Sequence, residues 1–406
     1  MNPNTFIPLP SKLAIISPVF PPDDSGQAVM LGRIMRHFDP ATYCLISTRS
    51  HPAVPYTSSG LLAQIPSLQG RFYALDTPPR KYWERLRPVR EVINIAYLTI
   101  VQTLRLMRIV KREHVRAMIV CSGDLVAIPA AYLVSMVQRM PLYLYMFDHY
   151  RYQSVNRIDR FIAAWAERLA TKRAKAVIVP NESLEEVFHQ DYGVTPAIIH
   201  NPIDGSEIVT VDSKPWPLDL TGIKIVYTGQ VYAAQYDALS RLVQAIKLLE
   251  QEYPLKLHLY TAQPRAVIEQ AGIIGPVVFH GYCPPAQIRQ IQQSADILFL
   301  PLAFVSPYPE IITTSAPSKF GEYLASGRPI LAHVPPGFIS RYMREHDCGY
   351  FVDQSSSELL VETIRSIVLN HERRLRVTRN AMQRAQIDFA LNVNVGRFAA
   401  LFTQRG

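Results

Sequence analysis

The 406 residues predict an α/β chain of two Rossmann-like domains, each a doubly wound parallel sheet. Three observations predict this. Short apolar runs rich in β-branched residues recur along the chain. Helical patterns separate them. The two halves share a plan, each opening on a strand, a glycine-bearing loop (Gly26; Gly229) and a helix. Near-continuous apolar strands separated by helices imply parallel sheets covered on both faces.

In order, the first half offers strands at 12–17, 44–47, 118–121, 142–147 and 176–180. The second offers 224–228, 256–260, 277–280, 297–301, 329–333 and 350–352. Residues 203–222 are rich in Pro, Asp, Ser and Gly with weak periodicity, and read as the linker. The expected domains are 1–205 and 206–388, with a last helix over 389–406. Ligands of such sheets bind at the carboxyl ends of the strands, so a cleft between two facing domains is expected.

Composition narrows the classes. At 48% hydrophobic and 18% charged residues, the chain can bury sizeable cores, which excludes wholesale disorder. No apolar run reaches the ~18 residues of a membrane span; 92–101 is apolar apart from Asn94 and Thr99. The start, MNPNTFIPLPSK, lacks a basic n-region and a long h-region, so no signal peptide is expected. Cys44, Cys121, Cys283 and Cys348 lie far apart without a CxxC, and read as buried thiols of a reduced, cytoplasmic protein.

The net charge of +9 is uneven. Segment 80–116 alone holds ten basic and three acidic residues, interleaved with aromatic and aliphatic ones. One reading is a surface for an anionic membrane at its inner face, where each basic residue contributes ~1 kcal/mol. The other is a covering helix with a solvated basic edge. No nucleic-acid motif accompanies the charge, so nucleic acid is not an expected partner.

The strongest chemical signal is SAPSKFGEYLASGRP, Ser315 to Pro329, between two apolar runs. Ser315 can cap a helix, with Pro317 in its first turn and Gly327 as the residue ending it. Free N–H groups from Ala316 to Lys319, Pro317 excepted, then form an anion site with the helix dipole. Ser318 adds a hydroxyl and Lys319 a charge, so a diphosphate fits. Glu322, one turn on, can accept hydrogen bonds from vicinal hydroxyls such as those of a ribose. The plainer alternative is a capped helix carrying a surface Lys319–Glu322 pair.

This segment resembles the donor site of GT-B glycosyltransferases, in particular the retaining family 4. The resemblance covers nearly the whole chain and implies a nucleotide sugar as donor. Glu322 matches the second Glu of the family's E-x7-E motif, which holds the nucleotide ribose. Thr314 stands where the first Glu would touch the donor sugar. ISPVFPPDDSGQ resembles the opening strand and glycine loop, with Ser25 and Gly26 near acceptor or donor phosphate. Asn201-Pro202-Ile203-Asp204 resembles the end of the first domain, and Asn201 is a candidate sugar contact. Tyr227-Thr228-Gly229-Gln230 resembles the start of the second. There Gln230 replaces the family's usual Arg, and no Lys follows about five residues on. His280-Gly281-Tyr282 resembles the base-holding loop, with Tyr282 either stacking on the base or half-buried. Asp148 and His149 close an apolar strand where the family often carries His or Asp. They are candidates for acceptor or donor-sugar contact, and alternation implies that only one faces inward.

The resemblance implies hexosyl transfer to a hydroxyl of a glycan or lipid-linked acceptor, with retention, in cell-surface polysaccharide or glycolipid assembly. Lys319, Ser318 and the helix start would stabilise the leaving diphosphate. No Asp-x-Asp occurs in the chain, so no metal and no cofactor are expected beyond the nucleotide sugar as co-substrate. Two other readings stay open: a sugar-nucleotide epimerase of the same architecture, and a non-catalytic docking subunit.

Overall fold

A computed structural model describes residues 6–23, 25–48, 61–62, 68–75, 87–205, 208–209 and 221–403. Segment 80–86 of the basic stretch and most of the proposed linker lie outside the described residues. Two compact units emerge: Met1–Pro202 with Asn394–Gly406, and Ile203–Val393.

The first unit is built on eight strands: β1 (Leu13–Ser17), β2 (Tyr43–Ser47), β3 (Leu61–Leu62), β4 (Arg71–Ala74), β5 (Ala117–Cys121), β6 (Leu142–Tyr145), β7 (Ala176–Val179) and β8 (Ala197–Ile198). Their order is β3-β4-β2-β1-β5-β6-β7-β8, and seven are parallel, with only the two-residue β3 antiparallel. β1 and β2 are buried along their whole length, as an apolar parallel run requires. In register, Ile15 lies opposite both Leu45 and Ile119. The connecting helices are α1 (Gly26–Met35), α2 (Arg87–Arg112), α3 (Ala127–Gln138), α4 (Arg157–Arg173) and α5 (Glu182–Tyr192). α1 leads from β1 to one side, whereas the chain returns through α2 to β5 on the other. The strand order therefore reverses between β1 and β5, where open α/β sheets take ligands.

Among the described residues the second unit has six strands, all parallel: β9 (Ile223–Thr228), β10 (Leu255–Tyr260), β11 (Val277–Phe279), β12 (Ile297–Pro301), β13 (Ile330–His333) and β14 (Tyr350–Val352). The order β11-β10-β9-β12-β13-β14 reverses between β9 and β12. Its helices are α6 (Tyr236–Leu249), α7 (Arg265–Gln270), α8 (Pro285–Gln293), α9 (Pro309–Thr313), α10 (Ser318–Ala325), α11 (Phe338–His346), α12 (Ser357–Leu369) and α13 (His371–Arg384). Two apolar clusters cover the two faces of this sheet, one around Leu242 and Leu257, the other around Leu298 and Phe320.

The chain ends in α14 (Leu391–Thr403), whose Phe398 and Phe402 pack on Phe38 and Tyr143 of the first unit at 5.5 and 4.8 Å. Cys44, Cys121 and Cys348 are buried free thiols; Cys283 departs from expectation in being partly exposed, beside Gln287. The sequence-based view of membrane-spanning length also needs correction. Glu91–Arg112 of α2 is long and apolar enough to cross a membrane by length and composition, because its charged residues, Glu91 apart, are confined to 105–112. Its later half nevertheless lies on the domain, with Gln102, Thr103, Leu106 and Val110 buried.

Candidate active site

In the second unit, β9 ends on Tyr227-Thr228-Gly229. Gly229 has φ +118, a conformation that favours glycine. Its missing side chain has a second use. The Lys319 side chain crosses the space a Cβ would fill, overlapping its position with Cε and leaving Nζ 2.7 Å from it. Lys319 Nζ also stands 5.5 Å from the centre of the Tyr227 ring, a cation–π distance. Among the described residues, no carboxylate forms an ion pair with Lys319. Two motifs far apart in sequence thus meet at one lysine.

The start of α10 differs from expectation. The N-cap is Pro317, with φ −56 and ψ 136 and no side-chain cap, not Ser315. Ser315 instead donates its N–H to Ile312 O (3.2 Å), closing the turn after α9. Ser315 and Ala316 therefore precede the helix, and their N–H groups are not part of its first turn. Phe320 N reaches Pro317 O at 2.9 Å. Among the described residues, the N–H groups of Ser318 and Lys319, both half-buried, remain as the unbonded donors of the helix start. Ser318 and Lys319 carry the hydroxyl and the charge at the same end. At the far end Gly327 has φ +71 and follows the last helical turn, as its place in the sequence implies.

Glu322 is half-buried one turn along. Its Oε2 accepts from Gln292 Nε2 (3.3 Å), which also donates to Thr228 Oγ1 (3.3 Å). Thr228 N donates to the hydroxyl of Tyr323 (3.3 Å), whose pKa burial raises to about 12. Glu322 is thus oriented by the buried Gln292 of α8. No motif marks Gln292, and its role follows only from the fold.

The remaining donor-side candidates separate. Gln230 is exposed and its carbonyl accepts from Tyr227 Oη (2.6 Å). Thr314 is buried and its hydroxyl donates to Glu310 O (3.0 Å), so its proton is committed to α9. Tyr282 is exposed, which removes the half-buried alternative. An aromatic surface lies close by in sequence: the His280 ring stacks on Tyr260 at 4.1 Å, nearly parallel, and Nε2 of His280 meets Nδ1 of His258 at 2.9 Å. Burial, then His280, depresses the His258 pKa to about 4.

In the first unit, Ser25 caps α1, its Oγ accepting from Ala28 N at 3.5 Å, and Gly26 begins the helix, exposed. Behind this turn Gln27 donates to Ser17 Oγ (3.0 Å) and Ser122 O (3.1 Å). Ser122 Oγ accepts from Phe147 N (2.9 Å). Asp124 accepts from Val126 N and Ala127 N, and Thr48 bonds to it as well. These groups form a closed polar network. Asn201 lies after β8 beside Pro202, whose carbonyl accepts from Arg33 of α1 (2.8 Å).

Asp148 and His149 have different surroundings. Asp148 is half-buried, none of the described residues donates to its carboxylate, and desolvation raises its pKa. His149 is buried, and its Nε2 accepts from Arg151 Nε (3.1 Å). Burial and then the Arg151 charge depress its pKa to about 4, so it is neutral near pH 7. Arg151 in turn pairs with Asp191, and its N–H donates to Glu167 (3.2 Å). Burial raises Glu167 to about 7 against its bond from Tyr192. His149 is thus held in a polar cluster, whereas none of the described residues bonds to the Asp148 carboxylate.

Two sequence families match the chain. Residues 68–207 match "Glycosyltransferase Family 4", and residues 210–384 match "Glycosyl transferases group 1". With the two parallel-sheet units, these matches make the chain a glycosyltransferase of the GT-B fold. Within that class it belongs to the family 4-like glycosyltransferases.

Solved structures of the same fold cover nearly all of it. Sucrose-phosphate synthase from Thermosynechococcus elongatus is 13% identical, covers 97% of this chain and 98% of its own, and superposes with a TM-score of 0.69. Anabaena HepE, solved in complex with UDP, is 14% identical over 96% of this chain and 98% of its own, with a TM-score of 0.66. A putative UDP-N-acetylglucosamine 2-epimerase from Listeria monocytogenes is 13% identical over 96% and 95%, with a TM-score of 0.58. At these identities the likeness is one of fold. No curated protein sequence matches the chain significantly.

Proposed function

We propose that the chain transfers a hexose-type sugar from a nucleoside diphosphate sugar to a hydroxyl acceptor, with retention and without a metal or other cofactor. The acceptor is a glycan or lipid-linked glycan of cell-surface polysaccharide or glycolipid assembly, reached from the cytoplasm at the inner face of the membrane. One observation carries the donor side of this reading. Lys319, without an ion-pair partner among the described residues, lies against Gly229 at the uncapped start of α10. A diphosphate there gains the lysine charge, the Ser318 hydroxyl and two N–H donors. All are in place before charge develops on the leaving group, the condition under which such donors lower a barrier most.

Glu322, steadied by Gln292, takes the ribose hydroxyls, and the Tyr260–His280 stack with the exposed Tyr282 offers ring faces to a base. Gln230 gives a neutral hydrogen bond to phosphate, and Thr314 lines the sugar end. Asp148 is the polar contact for the acceptor, with His149 holding the local fold and Ser25, Gly26 and Asn201 shaping the acceptor side. The solved complex of the HepE neighbour with UDP is in keeping with a uridine donor.

The test is product analysis with a panel of nucleotide sugars and simple glycosyl acceptors. A new glycoside with the anomeric configuration of the donor, plus free nucleoside diphosphate, is the expected outcome. An epimerised nucleotide sugar with no glycoside would move the chain to the epimerase reading. No turnover and no nucleotide affinity would move it to a docking role.

A further inference from the structure

Three helices of the first unit share one layer. Parallel strands joined by right-handed crossovers put α2, α3 and α4 on the same face of the sheet, running side by side from the carboxyl ends of the strands. Their inner sides are core. Leu106 and Val110 of α2, Ala130 and Val134 of α3, and Ala163 and Ala170 of α4 are buried in one cluster.

The outer sides are unusual. On α4, exposed positions besides Arg173 are Arg157, Phe161, Trp165, Arg168 and Lys172, spaced four, four, three and four residues apart. That spacing sets them along one line of the helix. Phe161 is 72% exposed and Trp165 is 63% exposed. On α3, Leu133, Met136 and Val137 point outward, Val137 at 69% exposure. On α2, no residue from Glu91 to Ile100 is buried, although the stretch reads EVINIAYLTI. The outward line there runs from Ile93 through Ile100 and Leu104 to Arg108 and Lys111. Asn156 donates to Glu91 (3.0 Å), fixing the apolar half of α2 beside the start of α4. Past Arg157, both outer helices repeat one arrangement: apolar or aromatic residues first, arginine and lysine toward the end.

We propose that this layer is a docking face for an anionic lipid bilayer, with Phe161 and Trp165 entering the headgroup region and Arg168, Lys172, Arg108 and Lys111 meeting lipid phosphates. Exposed large aromatic side chains in line with basic ones fit such an interface. Charge complementarity selects this occupant. Residues 91–175 hold thirteen basic and six acidic residues, and two of the acids, Glu113 and Glu167, are buried. A second copy meeting this face would oppose like charge with like. The purpose rests on the lipid-linked acceptor reading above; the docking itself does not.

The experiment is co-sedimentation of the full chain with vesicles of phosphatidylcholine alone or with about 30% phosphatidylglycerol. The parent is expected to bind the anionic vesicles and to bind the neutral ones weakly. Phe161→Ser with Trp165→Ser, at exposed positions, should reduce anionic-vesicle partitioning ~tenfold or more. Arg168→Glu with Lys172→Glu should do the same. Both variants should keep the parent's melting temperature and its stabilisation by nucleoside diphosphate, so a failed donor site is read separately from a failed membrane face. Absence of parent binding to anionic vesicles would overturn the proposal. So would parent-like binding by the aromatic variant, or a change from dimer to monomer in that variant with vesicle binding unaltered.

Discussion

The two sheets reverse strand order in the same way, yet the two reversal points carry different chemistry. In the first unit, the turn after β1 is closed on itself. Ser25 caps α1, Gln27 bridges Ser17 and Ser122, and Asp124, just ahead of α3, accepts from the N–H groups of Val126 and Ala127. In the second unit, α10 starts at a proline without a side-chain cap, and a lysine lies across a glycine. A capped helix start spends its N–H groups on the protein; an uncapped one keeps them for a ligand. Topology says where a ligand can sit in either sheet. Of the two reversal points, the proposed phosphate site uses the one in the second unit, where Lys319 of α10 lies across Gly229 after β9.

The largest effect should separate the two regions outright. Lys319→Ala removes the cation at the leaving group and should lower turnover ~100-fold or more in a transfer assay, while the melting temperature stays near the parent's. Gln27→Ala, in the closed network, should leave nucleoside diphosphate affinity within about twofold; if it lowered affinity as Lys319→Ala does, the contrast would fail.

The buried cluster behind Asp148 should show its structural character in pH dependence. Glu167 has a native pKa of about 7 against an ordinary 4.5, so its contribution is full below 4.5 and lost as pH rises through 7. His149 sits at about 4 against an ordinary 6.5, so its contribution is full above 6.5 and lost as pH falls toward 4. Between 4.5 and 6.5 the two oppose each other. Glu167→Gln should expose the histidine limb, so that stability to denaturant rises by about 3 kcal/mol from pH 4 to 6.5. A profile no steeper than the parent's would contradict these assignments.

Smaller effects sharpen the donor side. Gly229→Ala places a methyl group on Lys319 and strains a left-handed backbone; nucleoside diphosphate affinity should fall ~tenfold. Combined with Lys319→Ala, it should cost less than the sum of the two, because both act on one group. Glu322→Gln should weaken ribonucleotide binding several-fold and narrow the preference over the deoxyribonucleotide; an unchanged preference would remove Glu322 from the ribose.

Much of this was legible in the sequence for a physical reason. Strands such as β1, β5 and β12 are buried on both faces and read as continuous apolar runs. β4 and β8 escaped because they are short and only partly buried. The segment around Lys319 and Glu322 stood out because a short helix with Pro, Ser, Lys and a closing Gly is locally encoded. Its cap did not, because Ser315 is a good cap by residue type but lies three residues before the first helical residue, Ser318, with Pro317 in the cap position. Gln292 was invisible because a glutamine acquires its role from contacts 30 and 64 residues away. The expected alternation does not apply to Asp148 and His149, because β6 stops at Tyr145 and both residues follow it; the bonds of Arg151 to His149 and to Glu167 of α4 go with the burial of His149.

The most direct test of the phosphate site is thermal stabilisation by a nucleoside diphosphate compared with the matching monophosphate, in the parent and in Lys319→Ala. A ligand that binds the native state raises the melting temperature by mass action. The parent should be stabilised more by the diphosphate than by the monophosphate, and the substitution should erase that difference. Equal stabilisation by both nucleotides in the parent, or an unaltered diphosphate preference in the variant, would contradict it.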